Sequence, residues 1–181
     1  MAIAKATGSL SFRVLPDEIR KRFNGTMNYT GSDTTEKWVY KKLAVTHSAA
    51  NMFNIQTDGT GDEFLGISSS AALVAGDQLK FILIKHTGFT DENENVTTSN
   101  IGALITFTGD SITPDVGGED TQTAMFLAPG DTMALKVPAS DVKNWRVISC
   151  KTAIGTTNDI QAGASGDNVL LEIAAIVDDG G

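Results

Sequence analysis

Hydrophobic and polar residues alternate over short stretches along most of the chain. In residues 131–137, for example, Met133, Leu135 and Val137 alternate with polar or small residues. Successive side chains of a β-strand point to opposite faces, so a period of two predicts a half-buried strand. Residues 77–87 are instead apolar on both faces, which indicates a central strand covered on both sides.

About ten segments of this kind occur, many separated by Gly, Pro, Asn or Asp. The predicted strands are residues 9–15, 36–46, 51–57, 64–69, 77–87, 101–108, 121–127, 131–137, 144–151 and 168–177. Their connections contain little helix, so parallel crossovers are not available and two antiparallel sheets must bury each other's apolar faces. We predict an all-β, antiparallel β-sandwich. Strand number and length favour a jelly roll. The alternative, an immunoglobulin-like sandwich, is disfavoured because its Cys…Trp…Cys signature is absent.

One segment, residues 16–23, has the pattern of a short helix. It opens with Pro16 and carries acidic residues in its first turn and basic residues in its last, as the helix dipole favours. Ile19 and Phe23 lie four residues apart, on one face of a helix. Asn-Gly at positions 24–25 would end it. At most one helix is therefore expected, near residues 16–23.

The length of 181 residues and the 41% apolar content suit a single core. We divide the chain into an N-terminal arm, residues 1–8, and one sandwich domain, residues 9–181. No signal-peptide pattern and no apolar run of membrane-spanning length are found, so no membrane association is expected. The single cysteine, Cys150, lies in an apolar run and fits synthesis in a reducing cytoplasm.

Charge is distributed unevenly along the chain. Residues 1–42 contain eight basic and four acidic residues, a net +4, while residues 43–181 contain six basic and eighteen acidic residues, a net −12. This predicts a basic docking end on an acidic body, although loops and strands that merely differ in charge would give the same sums. An acidic body is a poor partner for nucleic acid, which requires a coherent basic face.

Candidate chemistry is sparse. The two histidines, His47 and His86, fall at predicted strand ends without metal-ligand spacing, and neither a nucleophile elbow nor a phosphate-binding loop is present. We therefore expect no enzymatic activity and no cofactor. One acidic turn, with Asp58, Asp62 and Glu63, is a candidate calcium site because Ca²⁺ takes oxygen ligands from such turns. It lacks the EF-hand spacing, and a solvated acidic turn is the alternative.

The late strands follow a distinctive order of turns. A Pro-Gly-Asp turn at positions 129–131 introduces one strand, Val-Pro-Ala-Ser-Asp follows at 137–141, and an apolar strand at 169–177 closes the chain. Together with a short N-terminal arm and a Gly/Thr/Asn-rich sandwich, this resembles the head decoration, or cement, proteins of tailed bacteriophages.

The resemblance implies a structural virion protein, made in the host cytoplasm, that binds the exterior of an assembled capsid. Such a protein clamps neighbouring major capsid protein subunits, often as a homotrimer. We expect residues 1–42 to form much of the docking side, with the long polar loops 89–100 and 109–120 facing outward. The predicted docking residues are Ile3, Lys5, Arg20, Lys21, Arg22, Phe23 and Tyr29.

Two other classes remain open. Another virion component, such as a tail, adaptor or head-fibre protein, would share the same features but occur in few copies per particle. A carbohydrate-binding module would need an exposed aromatic platform, for which Trp38, Tyr40 and Trp145 are the candidates. A hydrolase built on paired carboxylates ranks last.

Overall fold

Antiparallel β-strands make up almost all of the regular structure. The computed structural model describes residues 3–13, 22–32, 34–56, 61–65, 72–96, 101–107, 124–152 and 160–180. The strands in these ranges are β1 (Lys5–Arg13), β2 (Arg22–Thr30), β3 (Glu36–Val45), β4 (Ala50–Asn51), β5 (Gln78–His86), β6 (Ile101–Thr106), β7 (Ala124–Leu127), β8 (Thr132–Asp141), β9 (Arg146–Thr152), β10 (Ile160–Ala162) and β11 (Val169–Asp178). A 3-10 turn, Val142–Asn144, joins β8 to β9. Among the described residues no helix is long and apolar enough to cross a bilayer.

The strands form two sheets and a separate hairpin. Sheet I has the order β3-β11-β5-β8; sheet II has the order β10-β9-β6-β7, with β4 paired to β9 beside β10. Strands β1 and β2 pair only with each other. The hairpin and the short β10 can be set aside and the other eight strands renumbered 1 to 8 in chain order. Their order is then 1-8-3-6 in sheet I and 2-7-4-5 in sheet II. This is the strand order of a jelly roll, and the predicted antiparallel β-sandwich is confirmed.

The main core lies between the two sheets. Alternate residues of β11 enter it from sheet I, and alternate residues of β6 enter it from sheet II. At one end Trp145 is almost fully buried, with its ring centre 5.6 Å from that of Phe107 and its indole N–H donating to the Ser140 hydroxyl at 3.2 Å. This aromatic pair therefore fills one end of the core, and its only polar atom, the indole nitrogen, has a hydrogen-bond acceptor.

Sheet I is apolar on its outer face as well, the face turned away from sheet II. In β11, Ile176 lies on this outer face and is fully buried, with Phe81 of β5 beside it in register. A buried isoleucine on that side needs a cover other than sheet II. The β1–β2 hairpin provides that cover.

Several boundaries differ from the sequence predictions. The predicted helix at residues 16–23 falls mostly outside the described residues, but Arg22 and Phe23 belong to β2, so its C-terminal end was wrong. Ladder pairing across nine residues of β1 outweighs the local turn signal there. The predicted boundary after residue 8 lies inside β1.

The predicted strand at 51–57 is much shorter in the structure, and only residues 64 and 65 of the one predicted at 64–69 are described. Only Ala50–Asn51 is a strand near the first, and the second is reduced within the described residues to a bridge between Phe64 and Val39 of β3. Residues 57–60 and 66–71 lie outside the described ranges. Phe64 is nonetheless buried in the main core. Its apolar side chain therefore indicates a buried position, but it does not indicate a long strand.

One histidine is buried in its neutral form at the end of β5. His86 is fully buried, and its Nδ1 accepts a hydrogen bond from the backbone N–H of Gly88 at 3.1 Å. Burial lowers the pKa of this imidazole below its usual value, against smaller opposing effects of a backbone hydrogen bond with Ile101 and of the Asp131 carboxylate. A proton on Nδ1 would both bury a charge and lose the Gly88 hydrogen bond.

We predict that the protein loses stability as the pH falls below about 6.5, the ordinary histidine pKa. The unfolded chain takes up a proton there while folded His86 stays neutral, so acid favours unfolding, by at most about 1.4 kcal/mol per pH unit. Urea unfolding between pH 5 and 7.5 measures this slope. His86→Gln should flatten it, whereas His47→Gln, at an exposed site, should not. Equal slopes in the two variants would refute a His86 origin.

Candidate docking hairpin

The β1–β2 hairpin has one apolar and one polar face. Its register is unbroken from the Lys5–Thr30 pair to the Arg13–Arg22 pair. The apolar face carries Ala6, Gly8, Leu10 and Phe12 in β1 and Phe23, Gly25, Met27 and Tyr29 in β2. The polar face carries Lys5, Thr7, Ser9, Ser11 and Arg13 in β1 and Arg22, Asn24, Thr26, Asn28 and Thr30 in β2. Such strict separation indicates that the two faces meet different environments.

The base of the apolar face is packed on sheet I. Ala6, Met27 and Tyr29 lie against a small cluster that includes Phe81 and Ile176. The ring centres of Tyr29 and Phe81 are 6.2 Å apart. This part of the outer face, formed by Trp38, Ile176 and Phe81, is called here the covered strip.

A buried carboxylate fixes the hairpin to the sheet. Glu36, at the start of β3, is only 4% exposed and accepts hydrogen bonds from the Tyr29 hydroxyl at 2.7 Å and the Ser32 hydroxyl at 3.0 Å. The N–H of Gly31 donates to the carbonyl of Ala4 at 2.8 Å, closing the base. A methyl group on Gly31 would run into the Glu36 carboxylate, so a larger residue there would have to displace it from its hydrogen bonds. The connection from β2 to β3 is therefore closely fitted and leaves the hairpin one orientation at its base.

Two glycines of the apolar face are exposed. Gly8 and Gly25 lie on it, and a Cβ built on either one meets no described atom within 4 Å. Leu10, Phe12 and Phe23 occupy the remaining far register positions of that same face. A nine-residue strand spans about 30 Å, which is longer than the packed base.

The polar face is exposed and basic. Lys5, Thr7 and Ser9 in β1 are exposed, as are Thr26 and Asn28 in β2. The two strands contain three basic residues, Lys5, Arg13 and Arg22, and no acidic residue. The register pairs Arg13 with Arg22. Strands whose charged residues are all basic suit an anionic partner surface.

The predicted docking residues are placed unequally. Ile3, 42% exposed, and Lys5 lie at the hairpin base and are accessible. Tyr29 contacts its own molecule instead: its ring packs beside Phe81 and its hydroxyl donates to Glu36.

The other predicted docking residues lie towards the hairpin tip. Arg22 and Phe23 are in β2, at register positions on opposite faces. Arg20 and Lys21 lie outside the described residues. The sequence analysis did not identify Glu36 and Gly31, which hold the hairpin. It also missed strand β2, although residues 22–30 alternate between apolar and polar positions.

The acidic turn does not gather its three predicted calcium ligands in the described structure. The Asp62 carboxylate forms an ion pair with Lys41 at 2.6 Å and accepts the N–H of Asn54 at 2.8 Å. Glu63 is exposed, and Asp58 lies outside the described residues. Within the described ranges no group of three or more His, Cys, Asp or Glu residues is arranged to hold a metal ion. Asp62 instead ties its turn to β3.

The three aromatic residues considered for sugar binding do not share a surface. Trp145 is in the main core and Trp38 lies in the covered strip. Tyr40 is 43% exposed, and its hydroxyl donates to Glu172 at 2.6 Å. A platform of several aromatic rings is therefore not formed by these residues.

Comparisons with protein-family models, curated proteins and solved structures find no match to this chain. Its candidate site accordingly rests on the geometry of the hairpin.

We predict that Tyr29→Phe destabilises the protein by about 1.5–3 kcal/mol, because it removes a hydrogen bond to a buried carboxylate. Tyr40→Phe is the matched control, since it removes the same kind of bond at an exposed site and should cost less than about 1 kcal/mol. Urea unfolding gives both free energies. Hydrogen exchange should also quicken in β1 and β2 of the Tyr29 variant. Equal costs for the two variants would show that Glu36 does not lock the hairpin.

Proposed function

We propose that this chain is a structural virion protein that docks on the exterior of an assembled bacteriophage capsid and stabilises it. The observation that carries the proposal is the hairpin, whose polar face is exposed at Lys5, Thr7, Ser9, Thr26 and Asn28 and whose two strands contain three basic residues and no acidic one. Its partner is the major capsid protein, and its action is binding by shape and charge, without a cofactor or a catalytic step.

Charge gives the docking its direction. The hairpin strands carry only basic charged residues, while residues 43–181 have a net charge of −12. An acidic patch on the capsid attracts the hairpin and repels the body, so the hairpin meets the surface first. Repetition of one modest contact, about 800 Å² per partner, over a symmetric shell would strengthen the whole particle.

The rigid base makes the hairpin suitable for clamping. Tyr29, Ser32 and Glu36 fix its orientation relative to sheet I through two hydrogen bonds to one buried carboxylate. A prearranged arm loses less conformational entropy on docking than a flexible tail does. The load between capsid subunits would pass through this junction into the sandwich.

We predict that reversing the charges at the hairpin end weakens capsid binding on the order of tenfold, because the change removes the steering and opposes an acidic partner. The variant is Arg13→Glu with Arg22→Glu. The matched control is Lys136→Glu with Lys143→Glu, which makes the same change in net charge at exposed sites outside the hairpin. The measurement is co-sedimentation with bare capsids of the encoding phage at increasing protein concentration.

Wild-type protein should bind saturably in many copies per capsid and raise the temperature at which the capsids break. Binding should weaken with added salt, since exposed charges are screened. Saturation at only a few copies would instead favour a tail or head-fibre component. Absence of binding, or equal loss in both charge variants, would count against capsid docking through the hairpin.

A further inference from the structure

Three tight turns of the chain share one sequence ending and one geometry. They are the four-residue segments 74–77, 128–131 and 164–167, and each ends in Gly-Asp. In each turn the aspartate carboxylate accepts the N–H of the first residue, at 2.8, 3.0 and 2.7 Å respectively. The aspartate N–H donates to the carbonyl of that same residue, and the glycine has a positive φ. Asp77, Asp131 and Asp167 therefore close three equivalent turns.

The three aspartates differ in burial. Asp77 is only 1% exposed, whereas Asp131 is exposed and Asp167 is partly exposed. One carboxylate oxygen of Asp77 accepts from Val74, but the other, Oδ1, is buried without a hydrogen-bond partner in the described structure. Burial without a partner disfavours the charged form of a carboxyl group. The segment 74–77, called here the Asp77 turn, thus holds its charge at the highest cost of the three.

Three further carboxylates lie near Asp77, and each of them is paired with a lysine. The pairs are Asp141 with Lys143, Asp178 with Lys80, and Asp179 with Lys37. The carboxylates come from the ends of β8 and β11 and act on Asp77 as like charges. None of the ion pairs among the described residues includes Asp77. Asp77 therefore has neighbours of its own sign and, within the described ranges, no counter-ion.

Burial is the largest effect on the Asp77 carboxyl group, and it raises the pKa above the ordinary value of 3.8. The hydrogen bond from Val74 opposes the rise, and the three neighbouring carboxylates add to it. The folded chain therefore holds a proton on Asp77 at a pH at which the unfolded chain has released it, so acid favours the folded state. This stabilisation is complete below pH 3.8 and is lost as the pH rises through the pKa of the folded state.

The Asp77 turn connects two parts of the main core. The backbone carbonyl of Asp77 accepts the N–H of Val142, in the connection from β8 to β9, at 3.0 Å. Its carboxylate accepts the N–H of Val74, which follows Leu73. Leu73 and Val142 are both fully buried in the main core. Opening of the turn would therefore loosen apolar packing on both sides of it.

We infer that the Asp77 turn is an acid-strengthened latch, in which uptake of a proton by the buried carboxyl group holds the turn more firmly against the core. Strand β5 follows the turn directly and ends at His86, which is also fully buried. The two groups respond to acid in opposite senses, because neutral aspartic acid carries its proton whereas neutral histidine has released one. The two ends of one central strand thus have opposed responses to pH.

Urea unfolding of the full chain between about pH 4 and pH 7.5, around the ordinary carboxyl and histidine pKa values, tests the latch. The experiment uses no capsids, so its outcome is independent of the proposed docking. Asp77→Asn keeps an oxygen that can accept the Val74 N–H but cannot take up the proton. The urea midpoint of the wild type should therefore rise relative to that of Asp77→Asn as the pH falls.

Asp167→Asn is the matched control, since it makes the same change in an equivalent turn at a more exposed site. The wild type should show no such rise relative to this control. An equal dependence on pH for the two variants, or a fall of the wild type relative to Asp77→Asn, would overturn the inference.

His86 can be separated from Asp77 by repeating the comparison with His86→Gln in every chain. Nine positions along a strand set the two groups about 30 Å apart, so the rise attributed to Asp77 should persist. Its disappearance in that background would show that it originates at His86 and would refute the latch.

A measurement on the wild-type chain needs no variant to fold. Carboxyl-carbon NMR of the folded protein follows the titration of Asp77 directly. The midpoint for Asp77 should lie above 3.8, the ordinary value. A midpoint at or below that value would contradict proton uptake by the folded chain, whatever the unfolding curves show.

Discussion

The central strand β11 must be covered on both faces, and the architecture follows from that requirement. Its core-side residues are covered by sheet II, but Ile176 on the other side is also fully buried. A sandwich of two sheets has no third layer for this face. The hairpin supplies one, and Glu36 is buried at the junction because Tyr29 and Ser32 satisfy its carboxylate. Removing the hairpin would expose Ile176 and Phe81 and leave that carboxylate without the Tyr29 hydroxyl.

Among the described residues, the hairpin covers sheet I near its base, through Ala6, Met27 and Tyr29. The alternation of apolar and polar residues continues to the last register pairs, Phe12–Phe23 and then Arg13–Arg22. An isolated two-stranded hairpin is only marginally stable in water, so the packing of this base on sheet I stabilises the two strands.

Much of the sandwich could be predicted from the sequence, because burial repeats with the period of a strand. Residues 36–46, 77–87 and 168–177 correspond to β3, β5 and β11 within a few positions. Strand β2 was missed because Asn24-Gly25 is a strong local turn signal, whereas the structure sets Gly25 opposite Leu10 in mid-strand. The roles of Glu36 and Asp62 could not be foreseen either. Each depends on a partner, Tyr29 or Lys41, that only the fold brings close.

The two faces of the hairpin also differ in how their contacts respond to salt. A contact made by the apolar face rests on removal of apolar surface from water, which moderate salt changes little and sulfate strengthens. A contact made by the basic face rests on exposed charges, which salt screens within about 10 Å at 0.1 M. An amphipathic hairpin can therefore hold two partners under separate physical control. Rising salt would therefore weaken a contact of the basic face with an anionic surface and leave the packing of the apolar face on sheet I intact.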